Sequence, residues 1–204
     1  MGPVTFWVGL VSRSPSPAIL RYAGRGSGTI GLIALVLLLV GSIGACGSSA
    51  ETADEVFTDP GGVYRILVPP KWEPTTESVP AGVEAWFVDL PRNGFTANVN
   101  VLDTTGVGME LDDYVSMSID SARELVDGFL FLNDDRFTNG SGDELALMEY
   151  RLNDLHVLAV VGVRDDRAVV ATFVSREDEY PRLLPEVEPY LRSLELLDTS
   201  AIVS

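Results

Sequence analysis

Phe95-Thr96-Ala97-Asn98-Val99-Asn100-Val101-Leu102 and, shortly after it, Leu111-Asp112-Asp113-Tyr114-Val115-Ser116-Met117-Ser118-Ile119 carry two different periods. In the first stretch Phe95, Ala97, Val99 and Val101 face one way. Thr96, Asn98, Asn100 and Leu102 face the other, as in a half-buried strand. In the second, Leu111, Tyr114, Val115, Ser118, Ile119, Ala122, Leu125, Val126 and Phe129 recur at steps of three and four. That spacing predicts a helix over 111–129. Glu110, Asp112 and Asp113 fall in its first turn, where the helix dipole favours negative charge, and Gly128 is placed for a C-cap. A strand giving way to a long amphipathic helix makes the chain α/β.

Working outward, strands dominate. Val63 to Val68 is a strand stopped by Pro69-Pro70, since proline cannot donate to a ladder. Val83 to Leu90 is a second, closed by Pro91 and the turn Arg92-Asn93-Gly94. After the helix, Leu130-Phe131-Leu132 predicts a short strand, with turns at Asn133-Asp134-Asp135 and Asn139-Gly140-Ser141-Gly142. Glu144 to Leu152, Leu155 to Arg164 and Arg167 to Ser175 follow as strands, the last two joined at Asp165-Asp166. The run Leu155 to Val161 is apolar on both faces apart from His156, which predicts a central strand. A last helix is expected over Pro181 to Leu196, with Leu184, Val187, Leu191 and Leu194 inward and its first half broken by Pro185 and Pro189.

The N-terminal third has a different character. Ile30 to Val40 is apolar, too short for a membrane-spanning helix, and ends in Gly41-Ser42-Ile43-Gly44-Ala45. Its upstream charges are Arg13, Arg21 and Arg25, and no acid precedes Glu51. A positive segment, an apolar core and small residues form a secretory signal peptide over 1–45. The next residue is the single cysteine, Cys46. Ile43-Gly44-Ala45-Cys46 resembles a bacterial lipobox, whose thiol is acylated and becomes the new N-terminus. Cys46 is therefore the expected lipid attachment site. Residues 46–58 are small and acidic, a flexible tether, and 199–204 form a C-terminal tail.

Cleavage before Cys46 leaves 11 basic residues against 30 acidic ones, a net charge of −19. Such a surface repels a phosphate backbone, so nucleic acid is not an expected partner. It also opposes self-association, which predicts a monomer. Attachment must come from acyl chains such as palmitate, each buried methylene contributing about 0.8 kcal/mol.

The sequence Tyr64-Arg65-Ile66-Leu67-Val68-Pro69-Pro70-Lys71-Trp72, a strand running into a proline-then-tryptophan corner, resembles the PsbP-like family. The order of elements is similar over residues 59–198, with the LpqN–DcrB lipoprotein branch the nearest in length and leader. Members commonly have glycine where this chain has Lys71. The resemblance implies an α/β/α sandwich, a mainly antiparallel sheet flanked by helices, and an actinobacterial envelope setting. It implies no catalytic residues and no cofactor. Members are mostly accessory or binding proteins on larger membrane assemblies.

The remaining constellations favour structural roles. His156 has no second histidine and no free cysteine for a metal site, and no serine or acid is spaced in sequence for a triad. Acidic pairs at Asp112-Asp113, Asp134-Asp135, Asp165-Asp166 and Glu177-Asp178-Glu179 lack calcium-loop spacing and suit solvated turns and caps. Gly106-Val107-Gly108 lacks the lysine of a phosphate loop. Trp72 and Trp86 suit core or corner positions better than a ligand groove. The expected function is a non-catalytic, lipid-anchored binding or scaffold protein on the outer face of the cytoplasmic membrane, with a membrane or envelope protein as partner. The alternatives are a lipid-like ligand carrier with a pocket between helix 111–129 and the sheet and, remotely, a hydrolase.

Overall fold

The computed structural model describes residues 55–70, 72–75, 83–87 and 95–198. The leader, Cys46, the start of the tether, Lys71, the strand end and turn over 88–94, and the C-terminal tail lie outside the described residues.

Twelve elements follow in chain order. They are β1 (Glu55–Thr58), β2 (Tyr64–Val68), β3 (Glu73–Thr75), β4 (Val83–Phe87), β5 (Asn98–Thr105), α1 (Leu111–Leu125) and β6 (Phe129–Thr138). Then come β7 (Glu144–Leu152), β8 (Leu155–Arg164), β9 (Arg167–Arg176), α2 (Tyr180–Leu191) and β10 (Glu195–Leu196). One sheet has the order β3-β4-β5-β9-β8-β7-β6, antiparallel at every pairing. A small sheet, β1-β2-β10, is antiparallel as well.

The two faces of the large sheet separate by parity. On β8, Ala159 and Val161 pack with Tyr114 and Val115 of α1. Leu158 and Val160 pack with Leu183, Val187 and Leu191 of α2 and with Tyr64, Ile66 and Leu196 of the small sheet. The chain is thus an α/β sandwich with a helix on each face, as expected, and one of those layers is completed by the small sheet. The eight residues Leu155 to Gly162 are all buried, as the doubly apolar run requires.

Several elements differ from expectation. Helix 111–129 stops at Leu125, because Val126 is extended and Gly128 takes φ 78° in the turn to β6. Val126 and Phe129 instead pack beside Leu152 and Leu155, so sheet contacts override the helical period. Asn133-Asp134-Asp135 is strand and not turn: β6 runs through it in register with β7, across an irregularity between Phe131 and Asn133. Arg136 offsets the charge there, reaching Asp134 at 3.0 Å and Asp112 at 2.7 Å.

The last helix covers 180–191 rather than 181–196 and continues through both internal prolines. Pro181 lies in the first turn, where no ladder bond is lost, and Pro185 and Pro189 are exposed, so the bonds they remove fall on the solvent side, where water can serve the carbonyls. Leu183 is fully buried on this helix, whereas Leu184 is half-buried. The end of the expected tether, Glu55–Thr58, pairs with β2 as a strand, and Phe57 meets Trp86 edge-on at 5.1 Å.

Candidate functional site

The strongest polar constellation centres on His156. Strand β8 turns this residue to the α2 face, with Arg151 of β7 on one side and Ser175 of β9 on the other. The ring is buried and lies flat against Tyr180, the first residue of α2, at 3.5 Å and 1°. Nδ1 is 2.9 Å from Glu177 and Nε2 is 2.8 Å from Glu149. Arg151 closes the group by pairing with Glu177 at 2.5 Å. Glu149 and Glu177 lie seven and 21 residues from His156 along the chain, and only the fold brings them to the ring.

The chemistry follows from proton counting. A neutral imidazole has one N–H and one lone pair, and a carboxylate only accepts. Both contacts are hydrogen bonds only when the cluster holds one proton beyond the neutral ring and two carboxylates. With both nitrogens engaged, His156 has no free lone pair for a metal or for a substrate proton. Ser175 is buried beside it, but its hydroxyl donates to the Arg176 carbonyl at 3.2 Å. Burial, with Glu149 next to it, pushes the Tyr180 phenol far above its ordinary range, so that ring stays neutral. This group joins β7, β8 and the β9–α2 connection. Among the described residues no group of three or more His, Cys, Asp or Glu is arranged so that it could hold a metal ion.

A second cluster holds the C-terminal strand. Asp143 is buried and pairs with Arg164. It also accepts from the Leu196 N–H at 3.0 Å and from Asn139 Nδ2 at 2.9 Å. Asn139 Nδ2 reaches the Leu194 carbonyl too, at 2.7 Å, so its amide is a structural tie. A cleft of about 200 Å³ opens nearby, lined by Arg164, Asp165, Asp166, Arg167, Leu196 and Leu197 among others. It lies at the β8–β9 turn, not between α1 and the sheet where a carrier pocket was expected. It is smaller than the roughly 300–1,000 Å³ of ordinary ligand pockets. Arg164 and Arg167 are already engaged, the latter by Asp103 at 2.6 Å.

The other singled-out residues are structural. Trp72 and Trp86 are buried in the core. Gly106 and Gly108 both have positive φ and wrap the β8–β9 turn: the Gly106 N–H donates to the Asp166 carbonyl at 2.9 Å and the Gly108 N–H to its carboxylate at 2.8 Å. Asp165-Asp166 thus serves a turn. No helix among the described residues is long and apolar enough to cross a membrane.

No protein-family model and no curated protein matches the sequence. Solved structures do match. Cyanobacterial PsbP from Synechocystis sp. PCC 6803 superposes with a TM-score of 0.52 at 17% identity, over 76% of this chain and 99% of that one. LpqN of Mycobacterium tuberculosis, described as involved in cell envelope biogenesis, gives 0.51 at 12% identity, over 73% and 88%. A Pseudomonas aeruginosa protein of unknown function, PA94, gives 0.50 at 14% identity, over 69% and 94%. At such identities the likeness is one of fold, and the fold of this chain is PsbP-like.

Proposed function

We propose that the protein is a lipid-anchored, non-catalytic binding or scaffold protein on the outer face of a bacterial cytoplasmic membrane. The observation that carries this reading is the tetrad Ile43-Gly44-Ala45-Cys46, placed after an apolar run with only arginines ahead of it. The acyl anchor holds a compact acidic domain at the surface, which raises its effective concentration toward membrane neighbours. Two findings support binding over chemistry. His156, the only histidine, spends both nitrogens on Glu149 and Glu177, and the cleft at the β8–β9 turn is small, with its arginines paired. The LpqN fold likeness agrees with an envelope role.

Metabolic labelling with an alkyne fatty acid tests the anchor. The wild-type chain should take up label and sediment with membranes, and Cys46→Ala should do neither. Equal labelling of the two would remove the lipobox from the argument.

A further inference from the structure

The described residues expose four large apolar side chains, and two of them, Leu130 and Leu132, share one strand. Leu125 is 65% exposed, Leu130 53% and Leu132 38%. Leu130 and Leu132 belong to β6, which ends the large sheet, so no described strand pairs with its outer side. Leu125 ends α1 just before it. An edge strand leaves a row of N–H and C=O groups free to pair with another chain, and natural proteins usually guard such edges with charge or bulges. Here the guard covers half the strand. Asn133-Asp134-Asp135-Arg136 and the adjoining irregularity protect the C-terminal half, while Phe129-Leu130-Phe131-Leu132 presents leucines.

The surroundings say what would fit. Asp112, Asp113, Asp120, Glu124, Asp127, Asp134 and Asp135 are all exposed on α1, β6 and their connection. The basic residues of this region are committed: Arg136 pairs with Asp112 and Asp134, while Arg123 pairs with Asp120 and lies 5.5 Å from the Phe131 ring centre. A second copy of β6 would bring its own acidic α1 and its own Asp134-Asp135 to the same edge, and that concentration of like charge opposes self-pairing. Anionic lipid is opposed for the same reason.

We propose that the outer edge of β6 is a docking site for an extended basic segment of a partner protein, added as an eighth, antiparallel strand. This deepens the binding role proposed above and rests on it. Antiparallel pairing fixes the order of the segment, because its N-terminal half meets Asp134 and Asp135 and its C-terminal half meets Leu130 and Leu132. The partner segment therefore runs from alternating lysine or arginine into alternating valine or leucine.

The test uses the purified full chain in neutral phosphatidylcholine nanodiscs and two fluorescent ten-residue peptides of equal composition. One runs basic to apolar, and the other has the reversed order. The first should bind saturably, at least tenfold tighter than the second, and should slow hydrogen exchange of residues 129–138. Leu130→Ser with Leu132→Ser, and separately Asp135→Lys, should each weaken binding at least tenfold. Glu186→Lys, on the exposed side of α2, makes the same charge change and should have less than a twofold effect. No binding, no preference between the peptides, or equal losses in Asp135→Lys and Glu186→Lys would overturn the proposal. If the peptides fail while the anchored chain still crosslinks to a discrete envelope protein, only the β6 site falls. If both fail, the scaffold reading falls with it.

Discussion

Replacing His156 with alanine removes both carboxylate contacts and the stacked ring at once. A hydrogen bond to a charged partner contributes about 1.5–3 kcal/mol when buried. The partners here are not fully enclosed: the Glu149 side chain is 28% exposed and that of Glu177 42%. Water screens both, so each contact belongs at or below the low end of that range. Losing the stack on Tyr180 adds about 0.5–1.5 kcal/mol. His156→Ala should therefore cost about 2–4 kcal/mol. His156→Gln keeps one N–H donor and should cost about half as much. His156→Phe keeps the stack but not the donors, and should fall between the two. Urea unfolding of residues 47–204, followed by fluorescence of the buried Trp72 and Trp86, measures all three. A loss below about 0.5 kcal/mol for His156→Ala would mean that the cluster does not hold β7, β8 and α2 together.

Three further perturbations probe the packing. A Cβ on Gly162 would lie 2.7 Å from Leu145 and 2.9 Å from Leu196, so Gly162→Ala should cost about 1–3 kcal/mol by overpacking and visibly lower the melting temperature. A fragment starting at residue 59 lacks β1 and the Phe57 contact with Trp86. It should be less stable than one starting at 47 by roughly 1–3 kcal/mol, and equal urea midpoints would show that β1 is dispensable. Val115, 2% exposed on α1, is the sensitive position of that helix. Val115→Asp should prevent cooperative unfolding, while Asp113→Ala should change stability by about 0.3–1 kcal/mol. Similar melting curves for these two would place the helix in the wrong register.

The parts of the fold legible in the sequence were those whose pattern the core enforces. Strands β7 and β8 carry long buried runs, and their residues match the expected strands end to end. The start of α1 was legible from its period and its acidic first turn. Its end was not, because Val126 and Phe129 suit a helix stripe as well as they suit the sheet cluster they join. Turn chemistry misled at Asn133-Asp134-Asp135, where pairing with β7 outweighs local preference. Proline chemistry misled at Pro185 and Pro189, since only the packed helix reveals that they share the solvent face. The carboxylates around His156 were hidden for a related reason. Glu149 approaches only once the Asn153-Asp154 hairpin has set Arg151 opposite His156, and Glu177 only once the chain turns from β9 into α2. The exposed leucines of β6 appeared only when that strand proved to be the sheet edge.

Photo-crosslinking in intact cells tests the membrane-bound binding role most directly. A photoreactive amino acid would be placed at Leu132 in the wild-type chain and in Cys46→Ala. The expected result is one discrete envelope-protein adduct in the anchored chain, reduced at least tenfold when Cys46 is replaced. Equal adducts from both chains, or none from the anchored one, would contradict a role that depends on tethering.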